Sequence, residues 1–338
     1  MNKKLSLFSI FVMLALVLSA CATPAPVATE APAKPAATEA PAAAATEAPA
    51  KTHTLVFIPG QLANPSQAFG WKMFQKHAAE YKFDVSVLDG KGDVQEQTKA
   101  INNAVAQGAD VLMVNPNDAV AIGPALKAAK DAGKVVGLFM TAPGKGTEDS
   151  INFYVTVDDN QAGQFAADAI KKQFPNGATG VEVGGQAGHD AAIRRHDGFA
   201  KAIQGTNLTV LEYKNPQQWD TAQAQAIMED MITKYGDKIQ FVFCHWDNGA
   251  TGVINALKAA GKEDVMIVAV DGNKVAFQQV KDWPDYISIA QNAETITMKS
   301  MEEANKFLSK DASARKDVIV TFDIISKDTI NNFTPPEW

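Results

Sequence analysis

Four clusters of polar residues each follow a short apolar, β-branched run: Asn115-Pro116-Asn117-Asp118, Asp158-Asp159-Asn160, His245-Trp246-Asp247-Asn248 and Asp271-Gly272-Asn273. Amides and carboxylates of this kind donate and accept hydrogen bonds with a small polar ligand. In open parallel sheets, ligands bind at the carboxyl ends of the strands, where these clusters fall. Groups for making or breaking bonds are not visible. Gly184-Gly185-x-x-Gly188 follows a strand-like run and precedes a helical one, as a phosphate-cradling turn would. It is not G-x-G-x-x-G, however, and the first βα unit carries only Pro59-Gly60. Gly144-Lys145-Gly146-Thr147 lacks the earlier glycine of a P-loop, and no HExxH, GxSxG or paired-cysteine motif is present. The pattern points to binding rather than catalysis, and implies neither metal nor cofactor. A net charge of −7 and the lack of a dense basic stripe argue against nucleic acid as a partner.

The elements that must position these clusters alternate along the chain. Strand-like runs cover 54–58, 84–88, 110–114, 135–139, 153–157, 179–183, 208–213, 239–243, 265–270 and 286–290. Between them lie helical patterns such as 94–107, 119–132, 161–174, 191–203 and 222–235. Ile101 and Val105 recur at helical spacing in the first of these, and Ile227, Met231 and Ile232 in the last. Gly108, Gly133 and Gly261 stand where helices should stop. Alternation of this kind predicts α/β architecture, with parallel sheets covered by helices. The length favours two sheets of about five strands over one wide sheet. Two facing carboxyl edges would form a cleft.

The N-terminus has a different chemistry. Two lysines in residues 1–4 precede an apolar run at 5–18, too short for a permanent span, which ends in Leu18-Ser19-Ala20-Cys21. This resembles the bacterial lipobox, which implies a signal peptide over 1–20 and a mature chain that starts at an acylated Cys21. The alternative is an ordinary secretory signal with an incidental cysteine. Residues 22–51 are almost entirely Ala, Pro, Thr and Glu, with ATEAPA repeated from Ala28, Ala37 and Ala45. So little apolar surface cannot offset chain entropy, and closely spaced prolines favour an extended tether. Cys244 is the only other cysteine, which excludes a disulfide within the remaining chain.

Further markers appear in a fixed order: Asn64-Pro65, Val114 before the Asn115 cluster, Val157 before Asp158-Asp159-Asn160, Gly188 with Ala191-Ala192, Arg195-x-x-Gly198-Phe199, and Val268-Ala269-Val270-Asp271-Gly272. Across residues 54–325 the sequence resembles a type I periplasmic binding protein of the ribose/galactose-binding kind that serves ATP-driven importers. The resemblance implies two Rossmann-like, doubly wound parallel-sheet lobes joined by three crossings near Asp158, Gln291 and Phe322. Residues 52–158 with 292–321 would form the first lobe, and 159–291 with 322–338 the second. It further implies a monomer that closes on a small sugar-like ligand by hinge motion, outside the cytoplasm, and is recognised by an ABC permease. Lipid would be its only link to the membrane. A chemosensory or quorum-signal receptor of the same fold is the alternative. A transcription regulator is disfavoured, because the export signal stands where a DNA-binding domain would be needed.

The same resemblance nominates cleft residues. Asn64 takes the polar position of the first loop, Arg195 the arginine that serves hydroxyls or a ring oxygen, and Asp271 the accepting carboxylate. Gln291 can donate and accept, and Trp219 offers a ring for a C–H face. Three departures are informative. Ser66 and Gln67 replace aromatic residues, Phe139-Met140 replaces an Asp-Arg pair, and Trp246 replaces an asparagine. The exchange favours a ligand with a larger apolar face, such as a deoxy sugar, polyol, inositol or nucleoside. From the residues alone, Arg195 reads as surface or cleft, Asp271 as helix cap or ligand contact, and Trp246 and Trp71 as cleft or packing. His189 reads as a cap, a solvent-exposed group or a ligand contact, and His245 is similarly open.

Overall fold

The computed structural model describes residues 52–338, so the expected leader, Cys21 and the tether lie outside the described residues. In chain order the strands are β1 (His53–Ile58), β2 (Phe83–Val87), β3 (Val111–Val114), β4 (Val135–Phe139), β5 (Phe153–Val157), β6 (Ala178–Val183), β7 (Leu208–Lys214), β8 (Phe241–Cys244), β9 (Met266–Asp271), β10 (Tyr286–Ala290), β11 (Asp317–Val320) and β12 (Asp323–Ile325). The helices are α1 (Pro65–His77), α2 (Val94–Ala106), α3 (Gly123–Asp131), α4 (Asp159–Gln173), α5 (Asp190–Ala202), α6 (Thr221–Tyr235), α7 (Asp247–Ala259), α8 (Lys274–Asp282) and α9 (Ala293–Ser309).

Two six-stranded sheets result, ordered β11-β5-β4-β3-β1-β2 and β12-β10-β9-β8-β6-β7. The first is wholly parallel. The second is parallel except for β12, which runs antiparallel to β10, so the expectation of purely parallel sheets needs that correction. The chain passes between sheets after β5, after β10 and between β11 and β12.

Strands β3, β4, β8 and β9 are buried along their whole length, because helices cover both faces. In the first lobe, Leu55, Phe57, Met113 and Phe153 face α1 and α9. Their neighbours Val56, Leu112, Val114 and Val136 face α2 and α3. The second lobe repeats the plan, with Val181, Val242 and Ile267 under α6, α7 and α8, and Phe243, Val268 and Val270 under α4 and α5. Helix starts follow side-chain caps. Asp158 accepts from the amides of Asn160 and Gln161, so α4 begins at Asp159, two residues before the predicted start. The helix expected from 119 begins only at Gly123, because Asp118 holds the amides of Val120 and Ala121 in a separate turn.

One close approach determines where the site can form. A Cβ on Gly163 of α4 would lie 2.2 Å from the carbonyl oxygen of Arg195, and one on Gly198 of α5 would lie 2.1 Å from that of Asn160. Backbone therefore meets backbone between α4 and α5, which brings Arg195 against Asp159. Gly163→Ala is expected to lower stability by about 2 kcal/mol, because overpacking exceeds the roughly 1 kcal/mol of helix propensity gained. Urea denaturation checks this; an unchanged or raised midpoint would show that the two helices are not held by this contact.

The C-terminal segment departs from the expected boundary. Ile330 and Phe333 pack on the second-lobe core, but the Trp338 ring stacks on Phe69 of α1, with centroids 5.4 Å apart. Its carbonyl accepts from the amide of Lys274 at the start of α8. The segment expected to belong to the second lobe thus touches both.

Candidate functional site

The carboxyl ends of β3, β4, β8, β9 and β10, with the segment after β6, converge on one small space of about 40 Å³. The first lobe contributes Asn64, Ser66, Gln67, Asn115 and Met140, and the second His189, Ala191, Arg195, Trp219, Trp246, Asp271 and Gln291. Nine of the ten nominated ligand-binding residues therefore meet there. Phe139 does not, and that nomination is corrected. Its ring lies in the first-lobe core, 5.4 Å from Phe57 and 5.3 Å from Phe74 by centroid. Alternation along β4 turns it under α1, whereas Met140, in the left-handed region at φ 54°, turns into the cleft.

Asn64 caps α1, its Oδ1 accepting from the amide and hydroxyl of Ser66 at 2.9 and 2.8 Å. The amide of Gln61 donates to Gln67 Oε1 at 3.1 Å. Asn115 Nδ2 donates to the Phe139 carbonyl at 2.8 Å, which leaves its Oδ1 facing His189 Nε2 at 3.4 Å. The first-lobe wall is thus polar but uncharged.

Charge belongs to the second lobe. Arg195 is 3% exposed and its Nε donates to Asp159 Oδ1 at 2.8 Å. Its Nη1 donates to the His245 carbonyl, and Cζ stands 5.9 Å from the Trp219 ring centroid. Burial raises the Asp159 carboxyl to about 6 despite the adjacent guanidinium. Asp271 ends β9 at φ 133°, a strained conformation for a residue with a side chain. Gln291 Nε2 donates to its Oδ1 at 2.8 Å. Asp247 receives Tyr286 Oη, Gly272 N–H and Ser288 Oγ at 2.6, 2.7 and 2.8 Å. Burial raises both carboxyls, and the charge of Asp247 raises Asp271 further. With three donors on Asp247 and one on Asp271, Asp271 is the carboxyl raised further.

The aromatic wall is equally ordered. Trp219 meets His189 and Trp246 edge-on, each at 5.3 Å, and its ring lies against Gly185, where a Cβ would be 2.1 Å from Cη2. Trp246 is 4% exposed, and its Nε1–H is buried without an acceptor among the described residues. The open alternatives resolve accordingly. Trp246 serves both cleft and core, and Trp71 only packs against the first-lobe core. His189 is buried, caps α5 and lines the cleft at once, so solvent exposure is wrong. Burial holds it neutral, its pKa lowered to about 3. Asp271 is not a cap; Asn273 starts α8. Asn115, His189 and Ala191 were not nominated, although the position of Asn115 at the end of β3 is a usable signal.

The lobes touch around this space. Gln186 Nε2 donates to the Asn117 carbonyl at 3.3 Å, and Arg194 Nη2 to that of Pro143 at 3.3 Å. A larger opening of about 380 Å³ lies near the C-terminal segment and shares Gln291. Three of its charged groups are held in exposed ion pairs, Lys76 with Glu294 and Glu337 with Lys72. We therefore place the site in the smaller space, where buried polar and aromatic groups converge. Among the described residues, no cluster of His, Cys, Asp or Glu could hold a metal, and no helix is long and apolar enough to cross a membrane.

Two α/β lobes with convergent polar and aromatic groups between them define a bilobal solute-binding protein. The sequence pattern of the periplasmic binding protein domain matches residues 55–312, and the chain belongs to that family of binding proteins rather than enzymes. The ribose import binding protein of Salmonella typhimurium is 31% identical over 255 residues, covering 75% of this chain and 84% of that protein. The fructose import binding protein of Bifidobacterium longum is 28% identical over 275 residues, covering 78% and 82%. The crystal structure of a galactofuranose binding protein shares the fold, with a TM-score of 0.78 at 24% identity, covering 83% of this chain and 96% of that one.

Proposed function

We propose that this chain captures a neutral, polyhydroxylated ligand, a sugar or close relative, outside the cytoplasm and delivers it to an ABC permease. The observation that carries this reading is the one-sided cleft: buried Arg195, Asp271 and the Trp246 ring line it opposite an uncharged amide wall. Such groups serve ring oxygens and hydroxyls, while Trp219 and Met140 cover a C–H face. Relatives named for ribose and fructose import support a sugar. Met140 and Trp246 at the cleft favour an apolar face larger than that of ribose, as in a deoxy sugar, inositol, polyol or nucleoside. Reversible capture at about 0.1–10 µM corresponds to roughly −9.5 to −7 kcal/mol.

Mass spectrometry of ligand released from purified protein, followed by titration with D-ribose, D-fructose, D-fucose, myo-inositol, xylitol and adenosine, tests this. Ribose binding in the low-micromolar range or tighter would sink the preference for a larger apolar face. Binding of none of these, with no ligand released, would sink the whole reading. The protein acts as a monomer, and stimulation of its permease's ATPase by loaded protein separates transport from a receptor role.

The reading includes a lipid anchor on Cys21 and a tether over residues 22–51, supported by the LSAC box and the ATEAPA repeats. Anchoring keeps the binder near its permease and raises its effective concentration there. Cys21→Ser is expected to shift the protein from the detergent phase to the aqueous phase with affinity unchanged. Retention in the detergent phase would refute acylation at that residue.

A further inference from the structure

Two buried titratable side chains lie behind the cleft without lining it. Glu182, near the end of β6, and His245, just past the end of β8, are 1% and 0% exposed. Parallel pairing of β6 with β8 sets Glu182 beside Phe243 and so brings the two groups together. His245 Nε2 lies 2.8 Å from Glu182 Oε1, and the other carboxylate oxygen is 2.9 Å from His196 Nδ1. The His196 ring stacks on Tyr213 at 3.9 Å, which braces this end of the chain of groups.

The remaining ring nitrogen reports the tautomer. Gly185 N–H donates to His245 Nδ1 at 3.1 Å. A backbone amide only donates, so Nδ1 is unprotonated and the proton sits on Nε2, directed at Glu182. Burial keeps the imidazole pKa below its ordinary value, against the pull of Glu182. One ring therefore fixes one amide of the segment that follows β6.

That amide is well placed to matter. Gly185 carries the Trp219 ring, and the next residue, Gln186, reaches Asn117 of the other lobe. The His245 carbonyl also accepts from Arg195 Nη1. A buried ionisable pair is a weak way to add stability, because desolvation offsets the attraction. What an apolar pair could not supply is an acceptor aimed at a single N–H.

We propose that His245, oriented by Glu182, is a positioning residue of the ligand site: its Nδ1 fixes the Gly185 amide and thereby the Trp219 ring and the Gln186 contact. This rests on the sugar-cleft reading above, but its test does not depend on it. In the mature chain, NMR should show a nitrogen–nitrogen scalar coupling across the hydrogen bond from Gly185 N to His245 Nδ1. Two variants separate positioning from folding. Asparagine can place Oδ1 where Nδ1 stands, whereas glutamine can reach Glu182 but leaves the amide without a partner.

His245→Asn is expected to keep slow exchange of the Gly185 amide and D-fucose affinity within about threefold of the parent, as one retained hydrogen bond allows. His245→Gln should exchange that amide at least about tenfold faster and bind D-fucose about tenfold more weakly, at a denaturation midpoint no lower than that of His245→Asn, which loses the Glu182 contact instead. Absence of the coupling in the parent overturns the proposal even if both variants fail to fold. So does equal Gly185 protection in the two variants, or loss of affinity that merely tracks loss of stability. Failure of the parent to bind D-fucose counts against that sugar as ligand, and the coupling and exchange results then decide the role of His245.

Discussion

Arg195→Ala is expected to weaken ligand binding by at least about tenfold and to lower stability by about 3–5 kcal/mol, the usual consequence of leaving a buried charge unpaired. The guanidinium is inaccessible and links three things: Asp159 at the first crossing, the His245 carbonyl and the face of Trp219. Removing it takes a planar donor from the cleft and leaves Asp159, 2% exposed, without its cation. Asp159 is already raised to about 6 by burial, and loss of the adjacent cation can only raise it further. A carboxyl raised in the folded state contributes stability that is present below its unfolded value near 3.8 and is lost as pH rises through the folded value. The variant's deficit should therefore be small near pH 4, grow through pH 6 and continue to widen above it. Asp159→Asn added to Arg195→Ala should recover much of the stability at pH 8 and none of the binding. Urea denaturation at pH 5 and 8, with calorimetric titration of the identified ligand, separates the two effects. Unchanged affinity would remove Arg195 from the site; a deficit independent of pH would remove Asp159 from the account.

How much of this was legible in the sequence depended on the range of the interaction. The central strands were readable because each is a continuous apolar run between turn residues. The edge strands β11 and β12 were not. They are four and three residues long, partly exposed, and lack the run that marks a buried strand. Phe139 and Met140 show a second limit. Every residue from Val135 to Phe139 is buried, so alternation was hidden, and only the left-handed turn at Met140 decides which side chain reaches the cleft. For His189 the capping and ligand readings were set against each other, but they are compatible. Nδ1 receives the Ala191 amide while Nε2 faces Asn115. Glu182 and His245 are 63 residues apart, and nothing local to either predicts the pairing that β6 and β8 impose. Most residues whose role follows from a strand end were found, Asn115 excepted; residues whose role follows from a partner across the sheet were not.

Asp271→Ala is expected to weaken binding by at least about tenfold while making the empty protein more stable at alkaline pH. The carboxyl is buried beside Asp247, whose charge is held by Tyr286, Ser288 and the Gly272 amide, so the second negative charge is opposed by both burial and repulsion. Arg195 opposes that rise without cancelling it. In the empty cleft Asp271 therefore holds its proton to higher pH than an exposed carboxyl, and in that form it can donate to one ligand oxygen and accept from a hydroxyl. The sign follows from its raised folded pKa. The stability it contributes is complete below the unfolded value of 3.8 and drains away as pH climbs to the raised one, by at most about 1.4 kcal/mol for each step of one in pH. Removing the group removes its part of that decline, although Asp159 and Asp247, also raised, keep some of the slope. Asp271→Asn should resemble the protonated acid, with a flatter stability profile from pH 5 to 9 and a smaller loss of affinity than alanine. Denaturation midpoints at pH 5, 7 and 9 and ligand titration at the same values provide the check. A decline as steep in Asp271→Asn as in the parent would show that the pair ionises elsewhere. Equal affinities in all three proteins would show that the strained end of β9 serves the fold and not the ligand.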